Sequence, residues 1–410
     1  MSYATSLPGR LSAGAAGQLS ILQNRLLMTL MLGHFTVDMY AGFLPILYPV
    51  LIGRYSLDLK TVGLLSLSYS GASSLVQPLF GWLADRSGTR YIGLALVWTA
   101  AAFATIGFAG SFPVLLICAA AAGVGSGMYH PYGALNAATA IKDQRQRNAA
   151  MSIYISGGTV GVALGPLVAI ALITVFGLAG TAVMLLPGLA IAAWLLFELR
   201  TSSRSLPNGG QPANQYRPPV PLVPMLAIIG VMMSRQWTTS SLQAFIPAWY
   251  ASLGYSASFY GPLSTALVLS SAVGAIGAGT LADRFGRRTV IVVALIATIP
   301  ALWLFAQFHG PIAFPLVILV GLSAASTGPL MLVMAQQLMV GRAGVASGLI
   351  LGFGFITGAI GIPITGALAD SFGMETAIRL QIIIVVATIA LARLLPSESR
   401  FRAASPAGRT

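Results

Sequence analysis

Acidic side chains are nearly absent from this sequence: nine Asp and Glu in 410 residues, against 22 Lys and Arg, so that only 8% of the chain is charged. Soluble domains carry about a quarter. With 56% hydrophobic residues and a mean hydropathy of +0.84, no fold in water could cover the apolar surface. A water-soluble enzyme, a nucleic-acid-binding module and a disordered scaffold are excluded, and an integral membrane protein is expected. Cysteine is almost missing too. The single Cys118 rules out an intrachain disulfide or a cysteine-based metal site, and within its apolar run it reads as a small buried hydrophobe. No His-x3-His or Glu-x2-His spacing, Gly-x-Ser-x-Gly elbow or phosphate loop is present. The chain therefore lacks the signatures of an intramembrane enzyme or an ATP-driven pump, and neither metal nor cofactor is expected. Residues 1–25 are polar and lack the compact apolar stretch of a signal peptide, which leaves the first helix as the insertion signal.

The net charge of +13 would suggest a nucleic-acid partner in a soluble protein. In a membrane protein, Lys and Arg gathered in cytoplasmic loops produce the same excess, so the lipid bilayer and not a nucleic acid is the expected partner. A spanning helix needs about 20 mainly apolar residues. Such segments lie near 26–51, 61–83, 91–109, 113–139, 149–174, 179–197, 221–250, 260–281, 289–307, 312–340, 345–369 and 375–395. An all-α fold of twelve transmembrane helices follows, because lipid tolerates no open backbone. Under this parse eighteen of the 22 Lys and Arg fall on one side and three, Arg54, Lys60 and Arg379, on the other, while Arg235 lies within a span. Both termini are expected in the cytoplasm of an inner-membrane protein. A stretch rich in Ser, Pro, Gly and Asn divides the chain into bundles over 1–200 and 220–410, joined by a cytoplasmic linker at 201–219.

The two halves repeat one another. Gly81-Trp-Leu-Ala-Asp85-Arg86-Ser-Gly88-Thr-Arg90 and Gly279-Thr-Leu-Ala-Asp283-Arg284-Phe-Gly286-Arg287-Arg288 agree at seven of ten positions with an offset of 198, which also takes Gly123 to Gly321 and Pro131 to Pro329. Phe43-Leu-Pro45-Ile-Leu-Tyr48 mirrors Phe245-Ile-Pro247-Ala-Trp-Tyr250. Such parallel copies are the trace of duplicated transporter folds. The loop motif can act as a conformational latch: Gly81 and Gly88 permit close approach and a tight turn, and Asp85 is an anion that can sit against a helix N-terminus or an arginine. Gly279, Asp283, Arg284, Gly286 and Arg287 repeat it.

Together these residues resemble the signature of the major facilitator superfamily. Within it, Gly33-His34-Phe-Thr-Val-Asp38, Tyr129-His130-Pro131, Gly157-Gly158-x2-Gly161-x3-Gly165-Pro166 and Arg235-Gln-Trp237 resemble the fosmidomycin-resistance group of efflux transporters. The resemblance implies two six-helix bundles, a central cavity lined by the first, fourth, seventh and tenth spans, and proton-coupled antiport of a drug or small organic solute. Gly161, Gly165 and Pro166 resemble a motif of exporters, and small residues at this spacing also serve tight helix packing.

Ionisable groups inside spans are costly and so informative. Four occur: His34 and Asp38 on one face of the first span, His130 on the fourth and Arg235 on the seventh. The Phe-x-Pro alignment sets Arg235 opposite Gly33, near the depth of Asp38. Asp38 is either a structural carboxylate satisfied by His34 or Arg235, or a proton carrier that a movable cation helps to load and unload. Tyr40, Gln77, Tyr129, Asn136, Tyr154, Gln243, Gln336 and Gln337 are expected to add neutral hydrogen bonds to one chamber. Efflux is the leading expectation. Uptake of an organic anion anchored on Arg235 uses the same fold, and a non-transporting receptor or scaffold would not need two copies of the loop.

Overall fold

The computed structural model describes residues 22–87, 91–140, 147–201, 219–324, 327–339 and 343–396, and among them there is no strand. The first half contributes α1 (Arg25–Tyr55), α2 (Leu59–Ser87), α3 (Ile92–Ala104), α4 (Phe112–Ala140), α5 (Arg147–Phe176) and α6 (Leu185–Thr201). The second contributes α7 (Leu222–Ser252), α8 (Ala257–Phe285), α9 (Arg287–Gln307), α10 in two pieces (Ala313–Ala324 and Gly328–Leu338), α11 (Ala343–Phe372) and α12 (Met374–Ala392). The linker expected at 201–219 falls, but for its ends, outside the described residues.

Within the first half α1 packs on α5, α2 on α4, and α3 on α4 and α6; within the second, α7 packs on α11, α8 on α10, and α9 on α12. The halves meet along α2 with α11, α5 with α8, and α1 with α7. The tightest seam, α1 against α5, depends on missing side chains. A Cβ at Gly161 would strike the carbonyl of Phe35, and one at Gly165 would lie 2.7 Å from the Met39 carbonyl oxygen. Pro166 follows within α5.

Among the described residues, eight helical stretches are long and apolar enough to cross a membrane by themselves, one of them running through both α5 and α6. The helices α2 and α7 are not among these stretches. Both carry Ser and Gln through their middles, and both wall a cavity between the halves. Their low apolarity follows from position: a helix facing an internal water-filled space need not be greasy on that face.

Candidate functional site

The cavity has a volume of about 210 Å³ and is walled from both halves. From α1 come Asp38 and Pro45, from α4 Ser126 and His130, from α7 Gln236, Ser240 and Gln243, and from α11 Phe355, Ala359 and Ile362. The longest contribution is from α2: Ser66, Ser70, Ser73, Ser74 and Gln77 recur at three- and four-residue intervals and so form one helical face. The expected lining by the first, fourth and seventh spans is found, whereas α2, α5 and α11 take the place expected of the tenth.

Asp38 sits at the wall between two histidines. Its Oδ2 is 3.3 Å from His34 Nε2, one helical turn earlier, and its Oδ1 is 3.1 Å from His130 Nε2 on α4. The side chains are 9% exposed at His34, 19% at Asp38 and 28% at His130, a gradient from protein interior to cavity. Room for the cluster comes from Gly158 on α5, where a Cβ would collide with Asp38 Oδ2 and His34 Nε2.

The far side of each imidazole is committed. His34 Nδ1 lies 2.9 Å from the carbonyl oxygen of Tyr154, and His130 Nδ1 lies 2.7 Å from that of Ser126. A carbonyl only accepts, so Nδ1 carries the hydrogen in both rings. Each Nε2 then faces an oxygen of Asp38. If Nε2 were bare and the carboxylate ionised, lone pairs would oppose one another at 3.1–3.3 Å. Each contact is therefore a hydrogen bond only when it holds a further proton, on the ring or on the carboxyl. Two contacts make two places for an exchangeable proton. The ligand atoms of the three residues lie within 4.8 Å of one another, a spacing that a divalent cation could also use.

Tyr129 and Tyr154 do not face the cavity as expected. Both are buried: Tyr129 donates to the Leu30 carbonyl at 2.7 Å, and Tyr154 stacks on His34 with ring centroids 4.4 Å apart. Tyr154 thereby holds His34 in place through its carbonyl and its ring, and Tyr129 ties α4 to α1. Tyr40 is likewise spent on the Met184 carbonyl. Arg235 also departs from expectation. Asp38 is held by the two histidines, and Arg235 packs against Gly328 at the start of the second piece of α10 while its Nη1 donates to Gln236 at 3.1 Å. Arg235 is thus turned toward α10.

Of the loop motif, Gly88 and Arg90 lie outside the described residues, as do the side chains of Asp85, Arg86 and Asp283. A Cβ at Gly81 would find only Pro131 at 3.9 Å, and one at Gly279 would find nothing within 4 Å, so neither glycine is in close approach in this conformation. Gly286 turns the chain from α8 into α9 at φ +83°, a conformation that favours glycine. Arg284 is exposed, and Arg287 donates to Gln337 on α10.

The family model of the Major Facilitator Superfamily matches residues 30–242 and 225–410. The MFS-type transporter YfnC of Bacillus subtilis is 32% identical over 384 residues, covering 90% of this chain and 92% of its own. The fosmidomycin resistance protein of Escherichia coli is 28% identical over 353 residues, covering 84% and 86%. Among solved structures, a bacterial homologue of the human lysosomal transporter Spinster, inward-facing and occupied, superposes with a TM-score of 0.76 at 17% identity, covering 90% of this chain and 95% of that one. The nucleoside transporter NupG gives 0.71 at 14% identity over 90% and 100%. These likenesses, with the duplicated helices and the cavity between them, lead to one conclusion: the chain belongs to the major facilitator superfamily and is a multi-pass membrane transporter, not an enzyme.

Proposed function

We propose that this protein is a proton-coupled exporter, moving a small organic solute out across the inner membrane by alternating access in exchange for protons. One observation carries this reading: Asp38 faces two histidines through contacts that each require a proton, on the wall of the cavity between the halves. When those protons leave, the carboxylate and the two Nε2 lone pairs all become acceptors without donors. A solute bringing N–H or O–H groups into the cavity supplies the missing hydrogens. Solute and protons then satisfy the same acceptors in turn, and mutual exclusion at one site is what exchange requires. Serine and glutamine side chains along α2 and α7 offer the solute neutral donors and acceptors.

The name of the Escherichia coli relative supports export and supplies the first probe, fosmidomycin. The distribution of Lys and Arg supports cytoplasmic termini. The cavity draws its walls from one chain, so a monomer suffices. Uptake of an anion is the second reading, favoured by the bond from Arg235 to Gln236, a residue of the cavity wall.

Purified protein in liposomes enclosing a pH-sensitive dye tests the proposal, with fosmidomycin and a panel of small polar solutes added under an imposed pH gradient. At least one solute should move only when the gradient is present, and its addition should change the enclosed pH. A panel in which no solute moves with protons contradicts the reading. Chelator should leave the exchange unchanged; if it abolishes exchange, the cluster is a metal site.

A further inference from the structure

The segment Gly366-Ala-Leu-Ala-Asp370-Ser-Phe-Gly373 closes α11 with the same Gly, Leu, Ala, Asp and Gly spacing as the loop motifs that begin at Gly81 and Gly279. It is a third copy, at the opposite end of the bundle. Like Gly286, Gly373 ends its helix at positive φ, +81°.

Here the carboxylate is engaged. Asp370 Oδ1 accepts the backbone N–H of Leu59 at 2.9 Å, and Oδ2 accepts that of Lys60 at 2.8 Å. These are the first two residues of α2, 311 and 310 positions away in the other half. A helix start leaves its first N–H groups without intrahelical partners and carries partial positive charge. The third N–H, that of Thr61, is taken by Asp58 of the same half at 2.7 Å; hydrogen bonding from the Thr61 side chain and then from its backbone holds the Asp58 carboxyl below the usual carboxylate range. Two of the three orphan donors of α2 are thus satisfied from across the seam and one from within it.

The approach depends on Gly366. A Cβ there would lie 2.5 Å from the Leu59 carbonyl oxygen and 2.7 Å from Lys60 N. Gly366 lets the start of α2 lie against α11, and Asp370, one turn on, reaches round its end. At the other two copies the corresponding glycines, Gly81 and Gly279, have open space or ordinary contact beside them. One motif is therefore present both with its glycine against the backbone of the opposite half and with that glycine free.

We propose that Asp370 is a positioning residue of the transport cycle: its carboxylate clips the two halves together at the end that carries residues 54–61, and it releases α2 when the cavity opens at that end. The proposal rests on the alternating-access part of the reading above and is independent of proton coupling. Both bonds must break together if α2 and α11 part, because both go to one carboxylate. Being exposed, the released groups find water, so the clip biases the equilibrium without locking it.

Spin labels on Arg54→Cys and Ser371→Cys, both exposed in the structure and one in each half, measure the opening directly in a Cys118→Ser background. No solute is needed. The full-length parent should show one dominant short distance. Asp370→Ala should add a second, longer population, and Asp370→Asn, which keeps one acceptor oxygen, a smaller one. Gly366→Leu keeps the carboxylate and bars the approach, so it should give the same longer population. Asp58→Ala removes a bond to the same helix start but not across the seam, and should leave the distances as in the parent. The clip is refuted if Asp370→Ala and Gly366→Leu both leave the distribution unchanged, or if Asp58→Ala opens the seam as far as they do. Should Asp370→Ala not fold, Asp370→Asn and Gly366→Leu decide the matter by the same measure.

Discussion

His130 reaches Asp38 across the space between α4 and α1 with Nε2 3.1 Å from Oδ1, while its Nδ1 is bonded to the Ser126 carbonyl one turn back on its own helix. The ring is therefore aimed, and it is the member of the cluster most open to the cavity. We expect His130→Ala to slow proton-linked transport by about tenfold or more, the loss of one hydrogen bond to a charged group. Solute exchange at equal pH on both sides should fall much less. Parallel initial-rate measurements with and without a pH gradient check this.

His34 is held on three sides: by Asp38, by the Tyr154 carbonyl and by the stacked Tyr154 ring. Removing it leaves buried acceptors unpaired, at about 1–3 kcal/mol each. His34→Ala should therefore lower the melting temperature in detergent more than His130→Ala does. Equal melting temperatures would show that the cavity-facing and interior histidines carry the same structural load.

At the α1–α5 seam, Gly161→Leu forces a side chain into the Phe35 backbone. Overpacking of this kind costs about 1–3 kcal/mol or more where backbone cannot move. Folded yield should drop sharply, measured as the monodisperse fraction on size-exclusion chromatography. The corresponding change at Gly279, which has open space around it, should leave yield near that of the parent.

For the first loop copy, we expect Asp85→Asn to impair transport while leaving expression largely intact, and Asp283→Asn to be milder. Wild-type rates in both would reduce the two loops to topology signals. Arg235→Lys should weaken an anionic solute and spare a neutral one, since the planar fork that holds Gln236 is lost and the charge is kept. Equal loss for both solutes would make Arg235 a structural support of α7 and α10.

Much of this was legible in the sequence because membrane solvent punishes polar groups, so those that remain mark the site. The i,i+4 spacing of His34 and Asp38 put them on one face, and the single His-Pro pair of the fourth span supplied the third member. The serine face of α2 carried an equally readable signal, its 3.6-residue period from Ser66 to Gln77, but hydroxyls in a spanning helix can bond their own backbone, as Ser74 does to the Ser70 carbonyl at 2.8 Å, and so do not by themselves announce a cavity. The bonds from the Tyr129 hydroxyl to the Leu30 carbonyl and from the Tyr154 hydroxyl to the His130 carbonyl, each on another helix, have no trace in spacing. Neither does the rotation of Arg235 toward Gly328. The third loop copy was hidden because Ser371 stands where the others have arginine and because it falls outside the 198-residue repeat.

If Asp38 carries the coupled protons, Asp38→Asn in proteoliposomes must uncouple transport from the pH gradient. The amide keeps the shape and hydrogen-bonding capacity of the carboxyl but cannot titrate. We predict that this variant still exchanges solute for solute across the membrane at equal pH, and that it no longer accumulates solute when a pH gradient is imposed. Accumulation driven by the pH gradient at the parental level in Asp38→Asn would show that the coupled protons are carried elsewhere.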